Sequence, residues 1–435
     1  MTDAEETSSP SENASQQTFD HRVCLAWGGG CDDLTVTVKE NRVVAISPSC
    51  EPSKRWFRLG DYFQPEVEGC FYQGTLIERA EAIEVAARLL SDAKSPLIYG
   101  LEQATCEAQQ AAVELADRVR GTIDFPNTSK SLSNVLAFQK TGKVSATLGE
   151  IKQRADCIIY WNCDPVATQP HHLSRYSLDS NPNLSRRYFI VDHEENKTSS
   201  RAEKTFKVHK NSHLAAVQTL RALEKNRPLS KELVQQTTGN SLEEWKKLQQ
   251  AIHDSNFVAI LFPGHLSSED ECQIFYTALR RWIRELNKVT SVIGLTLGEP
   301  DNPVGAENIL ASSSGYPLAV SYHLGYPRYN PIEFNSEQQA VNQEIDCLLI
   351  AGTSLTQEDC QAIQTHYKGI PKIVLSPFPY HASQPELFLS IRDLATAETG
   401  LVYRSDGVPL PLRAVCTSNN PPLQETLEAI ISHLK

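Results

Sequence analysis

The 435-residue chain has one methionine, Met1, and no apolar run long enough to cross a membrane. A transmembrane helix needs about 20 predominantly apolar residues, so that class is excluded. The first 18 residues, MTDAEETSSPSENASQQT, are acidic and Ser/Thr-rich and lack the apolar core of a secretory signal. They are expected to form a disordered tail. Positive charge is also in short supply, with 41 Lys and Arg against 53 Asp and Glu, a net charge of −12. A nucleic-acid partner is therefore not expected. These deficits together predict a soluble, cytoplasmic protein with no membrane partner. The 11 cysteines are too few for a disulfide scaffold. They read as reduced thiols, with Cys157 and Cys347 as small hydrophobes inside strand-like runs.

The patterning that is present alternates strand and helix. LTVTVKENRVVAI, residues 34–46, reads as a hairpin turning at Glu40 and Asn41. TLIERAEAIEVAARLLSDAK has apolar residues at helical spacing, and the short buried strand SPLIYGL follows it. TCEAQQAAVELADRVRG is then a second helix, with Thr105 as its N-cap and Gly121 at its end. Strand–helix–strand units with short connections predict parallel sheets covered on both faces. The expected fold class is α/β, with two doubly wound Rossmann-like lobes and a small N-terminal β-rich domain. The expected division is a tail over 1–18, the β-rich domain over 19–74, a first lobe over 75–228, a second over 229–390 and a C-terminal return segment over 391–435. Within the second lobe, residues 302–334 are rich in Gly, Pro, Tyr and Asn and read as a long aromatic loop.

Two cysteines flank a glycine triplet in RVCLAWGGGCDDL, residues 22–34. Together with ATCEAQQAAVELADRVRGTID, LGEIKQRADCIIYWNCDP, HHLSRYS, SGYPLAV, GYPRYNPIEF and YRSDGVPLPLR, the chain resembles the B subunit of formylmethanofuran dehydrogenase. That protein is in the molybdopterin oxidoreductase group, and the resemblance runs in order from about residue 22 to residue 414. It implies an iron–sulfur motif C-x2-C-x3-C with a fourth cysteine downstream, and a bis-molybdopterin tungsten or molybdenum centre. Cys24, Cys31 and Cys50 fall at the first, third and fourth cluster positions, and Trp27 falls at the second. Cys106 matches the position implied for the tungsten or molybdenum ligand.

The departures from that pattern carry chemical weight. Each iron of a cubane cluster needs an outside ligand, and indole offers an N–H donor with no suitable lone pair. Three thiolates could hold a three-iron cluster or a four-iron cluster with one open site, but Trp27 would crowd the vacancy. The loop is therefore expected to be a relic. Cys106 stands at a predicted helix start, where the dipole is expected to favour a thiolate. The Cys-His-Gly stretch implied beside the metal is replaced by NTSKSLSNVLAF, which removes a proton-handling imidazole. His171 and His172 are adjacent, so on a helix they project apart and form no two-His metal face. A polar cleft-lining place is expected for them, and Glu150 and Lys152 read as surface groups of a helix. Tyr316, Tyr326, Arg328 and Tyr329 are of residue types suited to a cleft or an interface.

The favoured reading is a non-redox subunit, inactive alone and without a bound cofactor, in a formyltransferase/hydrolase complex. Its partners would be the other subunits of that complex, which serves tetrahydromethanopterin- and methanofuran-linked conversion of formaldehyde to formate. The alternative is an active tungsten- or molybdenum-pterin subunit interconverting formate-level carbon and carbon dioxide.

Overall fold

The computed structural model describes residues 16–126, 128–266, 272–352, 357–380 and 385–434. Most of the expected tail lies outside them, but Gln17 and Thr18 already belong to the strand Gln17–Cys24. That strand pairs antiparallel with Cys31–Lys39, which pairs in turn with Arg42–Ser47. Glu40 and Asn41 both have left-handed φ, 52° and 57°, the geometry of a tight hairpin turn matched to strand twist. Leu34, Val36 and Val38 recur at every second position and are buried, so the period-2 pattern fixes which face meets the core.

That face packs on a five-stranded, wholly parallel sheet. Its order is Lys204–Lys207, Arg187–Asp192, Cys157–Trp161, Phe257–Pro263, Ser291–Leu297. The strands are near-continuous apolar runs because both faces are covered. Ile158, Tyr160, Ala259 and Leu261 join the core shared with Val23, Leu34 and Val36. Their neighbours Ile159, Trp161, Ile260 and Phe262 point the other way, to Trp245, Trp282 and Phe275. Each fully buried aliphatic side chain contributes about 1.5–3 kcal/mol.

The second large sheet has nine strands. Its centre is parallel: Thr122–Asp124, Pro96–Gly100, Cys347–Ala351, Lys372–Ser376, Leu387–Ser390. Antiparallel strands border it, with Val320–Ser321 and Arg328–Tyr329 on one side and Cys70–Tyr72 and Thr75–Ile77 on the other.

The two sheets do not follow the division expected at residue 229. All strands from Cys157 to Leu297 form the five-stranded sheet, and the chain on both sides of that stretch builds the nine-stranded one. Local strand–helix alternation reads the same within one sheet and across two, so the crossover is invisible to it. Residues 302–334 also differ from the expected loop, because Pro303–Ser314 is an α-helix ending at left-handed Gly315. The terminal strand pair Gly400–Tyr403 and Pro409–Leu412 and the helix Leu423–Ser432 complete the fold.

Candidate functional site

The carboxyl ends of both parallel sheets converge on one region. Parallel α/β sheets bind ligands at such ends, where strand order reverses. In the nine-stranded sheet the reversal lies between Pro96–Gly100 and Cys347–Ala351, and Leu101 N–H donates to Ala351 O at 2.7 Å there. The helix Cys106–Arg118 begins directly beyond, capped by the Thr105 hydroxyl, which accepts from Ala108 N–H at 3.3 Å.

The glycine-rich loop covers the end of the five-stranded sheet. Cys24 and Cys31 face each other across the antiparallel pair at its base, and both are buried. Gly30 N–H closes the turn onto Trp27 O at 2.9 Å, with Gly30 at φ +54°. A Cβ at Gly28 would stand 2.1 Å from Gly298 O, and one at Gly29 would stand 2.0 Å from the Trp27 ring. Two of the triplet glycines are thus required by close approach and the third by its dihedral.

Trp27 is 1% exposed, and its indole N–H finds no oxygen or nitrogen acceptor. Burial pushes the Cys24 thiol well above its ordinary range and Cys31 up to about 11. The nearby Trp27 N–H offsets part of the rise at Cys31. All three thiols, Cys24, Cys31 and Cys50, are free, and Cys50 stands at the start of the helix Glu51–Trp56. The packed Trp27 indole offers iron no suitable lone pair. Among the described residues no group of three or more His, Cys, Asp and Glu side chains is arranged to hold a metal ion. The donor set present does not fit a cubane cluster.

The loop is held by the unusual strings of the sequence. From HHLSRYS, the Tyr176 hydroxyl donates to Gly29 O at 3.3 Å, and Arg175 pairs with Asp32 and Asp33 at 2.9 and 2.5 Å. Gln169 ties Gly29 N–H to Gly298 O. From YRSDG, Ser405 N–H donates to Gly28 O at 3.0 Å, and Arg404 is held by Asp406 at 2.7 Å. His172 is fully buried against Tyr160 and Tyr176, with ring centroids 5.8 and 6.3 Å away. Burial drives its pKa down to about 4, and its Nε2 has no partner. It therefore packs behind the loop as a neutral ring. His171 has an orphaned Nε2 as well.

Cys106 is 4% exposed, and burial pushes its thiol up to about 11, against the expected thiolate. The dipole of the helix start is outweighed by desolvation, which penalises the charged form. Asn302 Nδ2 approaches its sulfur at 3.9 Å and donates to Ala104 O at 2.9 Å, while Asn302 Oδ1 accepts from Tyr403 N–H at 2.8 Å. NTSKSLSNVLAF contributes to the helix Thr128–Thr141, whose Asn134 accepts from Arg280 at 2.6 Å. Neither thiol nor imidazole lies on that helix. Cys106 is thus packed as a neutral thiol beside Asn302, with no imidazole on that helix next to it. Asn302 is missed by sequence reasoning, although Asn-Pro before an apolar segment is a helix-start signal. Tyr316 and Tyr329 stack at 4.8 Å, Tyr329 donates to Gln139 at 3.1 Å, and Arg328 lies over Phe334. Tyr326 is exposed, and Glu150 pairs with Arg154 on the surface while Lys152 is partly covered.

With that geometry the chain has a mixed α/β fold that resembles those of solved structures. It superposes on a chain of the formyltransferase/hydrolase complex (FhcABCD) from Methylorubrum extorquens, solved with methylofuran, at a TM-score of 0.69 and 18% identity, covering 84% of this chain and 98% of that one. Acetylene hydratase from Pelobacter acetylenicus gives 0.64 at 10% identity, over 96% and 69%. In sequence the chain is related to the B subunit of tungsten-containing formylmethanofuran dehydrogenase 2 from Methanococcus maripaludis, 28% identical over 92% of this chain and 94% of the relative. The corresponding protein of Methanocaldococcus jannaschii is also 28% identical, over 95% and 98%. No family model matches the chain. Among the described residues no helix is long and apolar enough to cross a membrane.

Proposed function

We propose that this chain is a non-redox subunit of a formyltransferase/hydrolase complex in tetrahydromethanopterin- and methanofuran-linked conversion of formaldehyde to formate. The observation that carries the proposal is Trp27, a buried indole at the place where the resemblance calls for a cluster thiolate. Oxidising a formyl group to carbon dioxide releases two electrons, which must leave through a redox chain. Hydrolysing it to formate moves none, so a chain that has lost its electron route suits hydrolysis. The likeness to tungsten-containing dehydrogenase subunits then reflects common descent of the scaffold, and fold alone does not carry the chemistry over.

In this reading the chain contributes shape rather than a reacting group. Arg175, Tyr176, Gln169 and Ser405 hold the glycine loop rigid, and Asn302 locks the approach of the two sheet ends. Leu324, Tyr326, Ile332 and Val341 are exposed apolar side chains in one stretch of sequence, suited to cover by another subunit. The test is co-expression with its genomic neighbours, followed by size-exclusion chromatography, metal analysis and formyl-transfer assays. A colourless complex that produces formate supports the proposal. Stoichiometric tungsten or molybdenum with a cluster absorption, or an active monomer, overturns it.

A further inference from the structure

Beside the glycine loop lies a cavity of about 540 Å³ that none of the chemistry above uses. Ala26, Pro52, Pro300 and Leu394 give it apolar walls. Trp56, which is 8% exposed, and Arg58 also line it. Arg58 is held in place, stacked 4.4 Å over Phe378 and 3.5 Å from Asp393. Exposed Arg55 adds a second guanidinium to the lining, 5.2 Å from the Tyr62 ring.

The same cavity carries the opposite need. Asp301 also lines it, held at a left-handed φ of 67°, and both its oxygens accept from a single donor, Gln103 Nε2, at 3.2 and 3.1 Å. Asp393 is already served by Arg58 and by the Thr396 hydroxyl at 3.0 Å, and Glu51 by the Tyr62 hydroxyl. The lining therefore offers guanidinium donors at Arg55 and Arg58 and one under-satisfied carboxylate at Asp301. A lone anion would meet Asp301, and a lone cation would meet the two arginines. A ligand carrying both charges satisfies both.

We propose that this cavity binds a small zwitterion of the α-amino-acid class with an apolar side chain, its carboxylate against Arg55 and Arg58 and its ammonium group against Asp301. Burial pushes the Asp301 carboxyl up to about 7, with Gln103 and Arg58 pulling it down and Asp393 pushing it up. Glu51 and Arg55 are the other charged groups of the lining, and the Cys24 thiol stays neutral nearby. An ammonium partner requires ionised Asp301, so binding tightens as pH rises from about 6 to about 8.

The experiment is calorimetric titration of the full-length chain, with any subunits that accompany it, using L-leucine, isocaproate, which lacks the ammonium group, and isoamylamine, which lacks the carboxylate. L-Leucine is expected to bind saturably and each analogue at least about tenfold more weakly. Asp301→Asn should weaken L-leucine by about the same factor and tighten isocaproate, which no longer meets a like charge, while Arg55→Gln should weaken L-leucine and tighten isoamylamine. No saturable L-leucine binding at millimolar concentration, or equal binding of the three compounds, would overturn the proposal. So would a loss of all three together in Asp301→Asn.

Discussion

Trp27 and Cys106 show how burial decides what a side chain can do at the scale of one residue. Trp27 fills the loop so closely that Gly29 cannot carry a Cβ. Removing it by Trp27→Ala should destabilise the chain by about 3–5 kcal/mol, the cost of a large cavity in a packed core, measured by urea unfolding. Anaerobic incubation of the native protein with iron and sulfide should give no stoichiometric cubane spectrum, and one that formed would contradict the donor set described. Cys106→Ser exchanges a neutral thiol for a hydroxyl that can still accept from Asn302. Formate production by the assembled complex should stay within about tenfold of the parent, equivalent to roughly 1.4 kcal/mol in barrier. A larger loss with intact assembly would assign the thiol a chemical role.

Elements are most legible where one local rule governs them. The hairpin at Glu40–Asn41, the capped start at Thr105 and the buried runs of Cys157–Trp161 and Phe257–Pro263 follow from turn chemistry, capping and apolar run length. The helix Pro303–Ser314 does not, because its Gly, Asn and Ser content hides the weak apolar periodicity of Ala306 and Leu310. Its stability comes from Asn302, which is fully buried and bridges Ala104, Tyr403 and Cys106. Asn302→Ala would orphan Tyr403 N–H and leave Ala104 O with only the Gln109 amide at 3.4 Å, so a loss on the order of 1–3 kcal/mol in urea unfolding is expected. A change below about 0.5 kcal/mol would show that the bridge contributes nothing. The candidate site is half legible for the same reason. Cys24, Cys31 and Cys50 stand out by type and Trp27 lies in the same motif, but the partner that defines Cys106, Asn302, lies 196 residues away. No spacing rule connects them.

For the whole molecule, the buried carboxylates set how stability responds to pH. Burial raises Asp124 to about 6 and Asp301, Glu307 and Glu398 to about 7. Each binds a proton more tightly folded than unfolded, so its contribution is fully present below the ordinary carboxylate range, near 4, and is lost as pH rises through 6 to 7. His172 and His213 act in the opposite sense, since burial lowers both to about 4 and folding then releases a proton below about 6.5. The two effects compete between about pH 4 and 6.5, while from about 6.5 to 8 these carboxylates outlast the histidines and the melting temperature should fall. Glu398 accepts from Leu423 N–H at 3.1 Å at the start of the last helix, an interaction that glutamine keeps. Glu307 is offset only in part by Lys143. Glu307→Gln and Glu398→Gln should therefore each raise the melting temperature at pH 8 and leave it nearly unchanged at pH 5, where the parent carboxyls are already protonated. Thermal unfolding of the parent and both variants across that range is the measurement. Equal shifts at the two pH values would mean that packing, not ionisation, governs these positions.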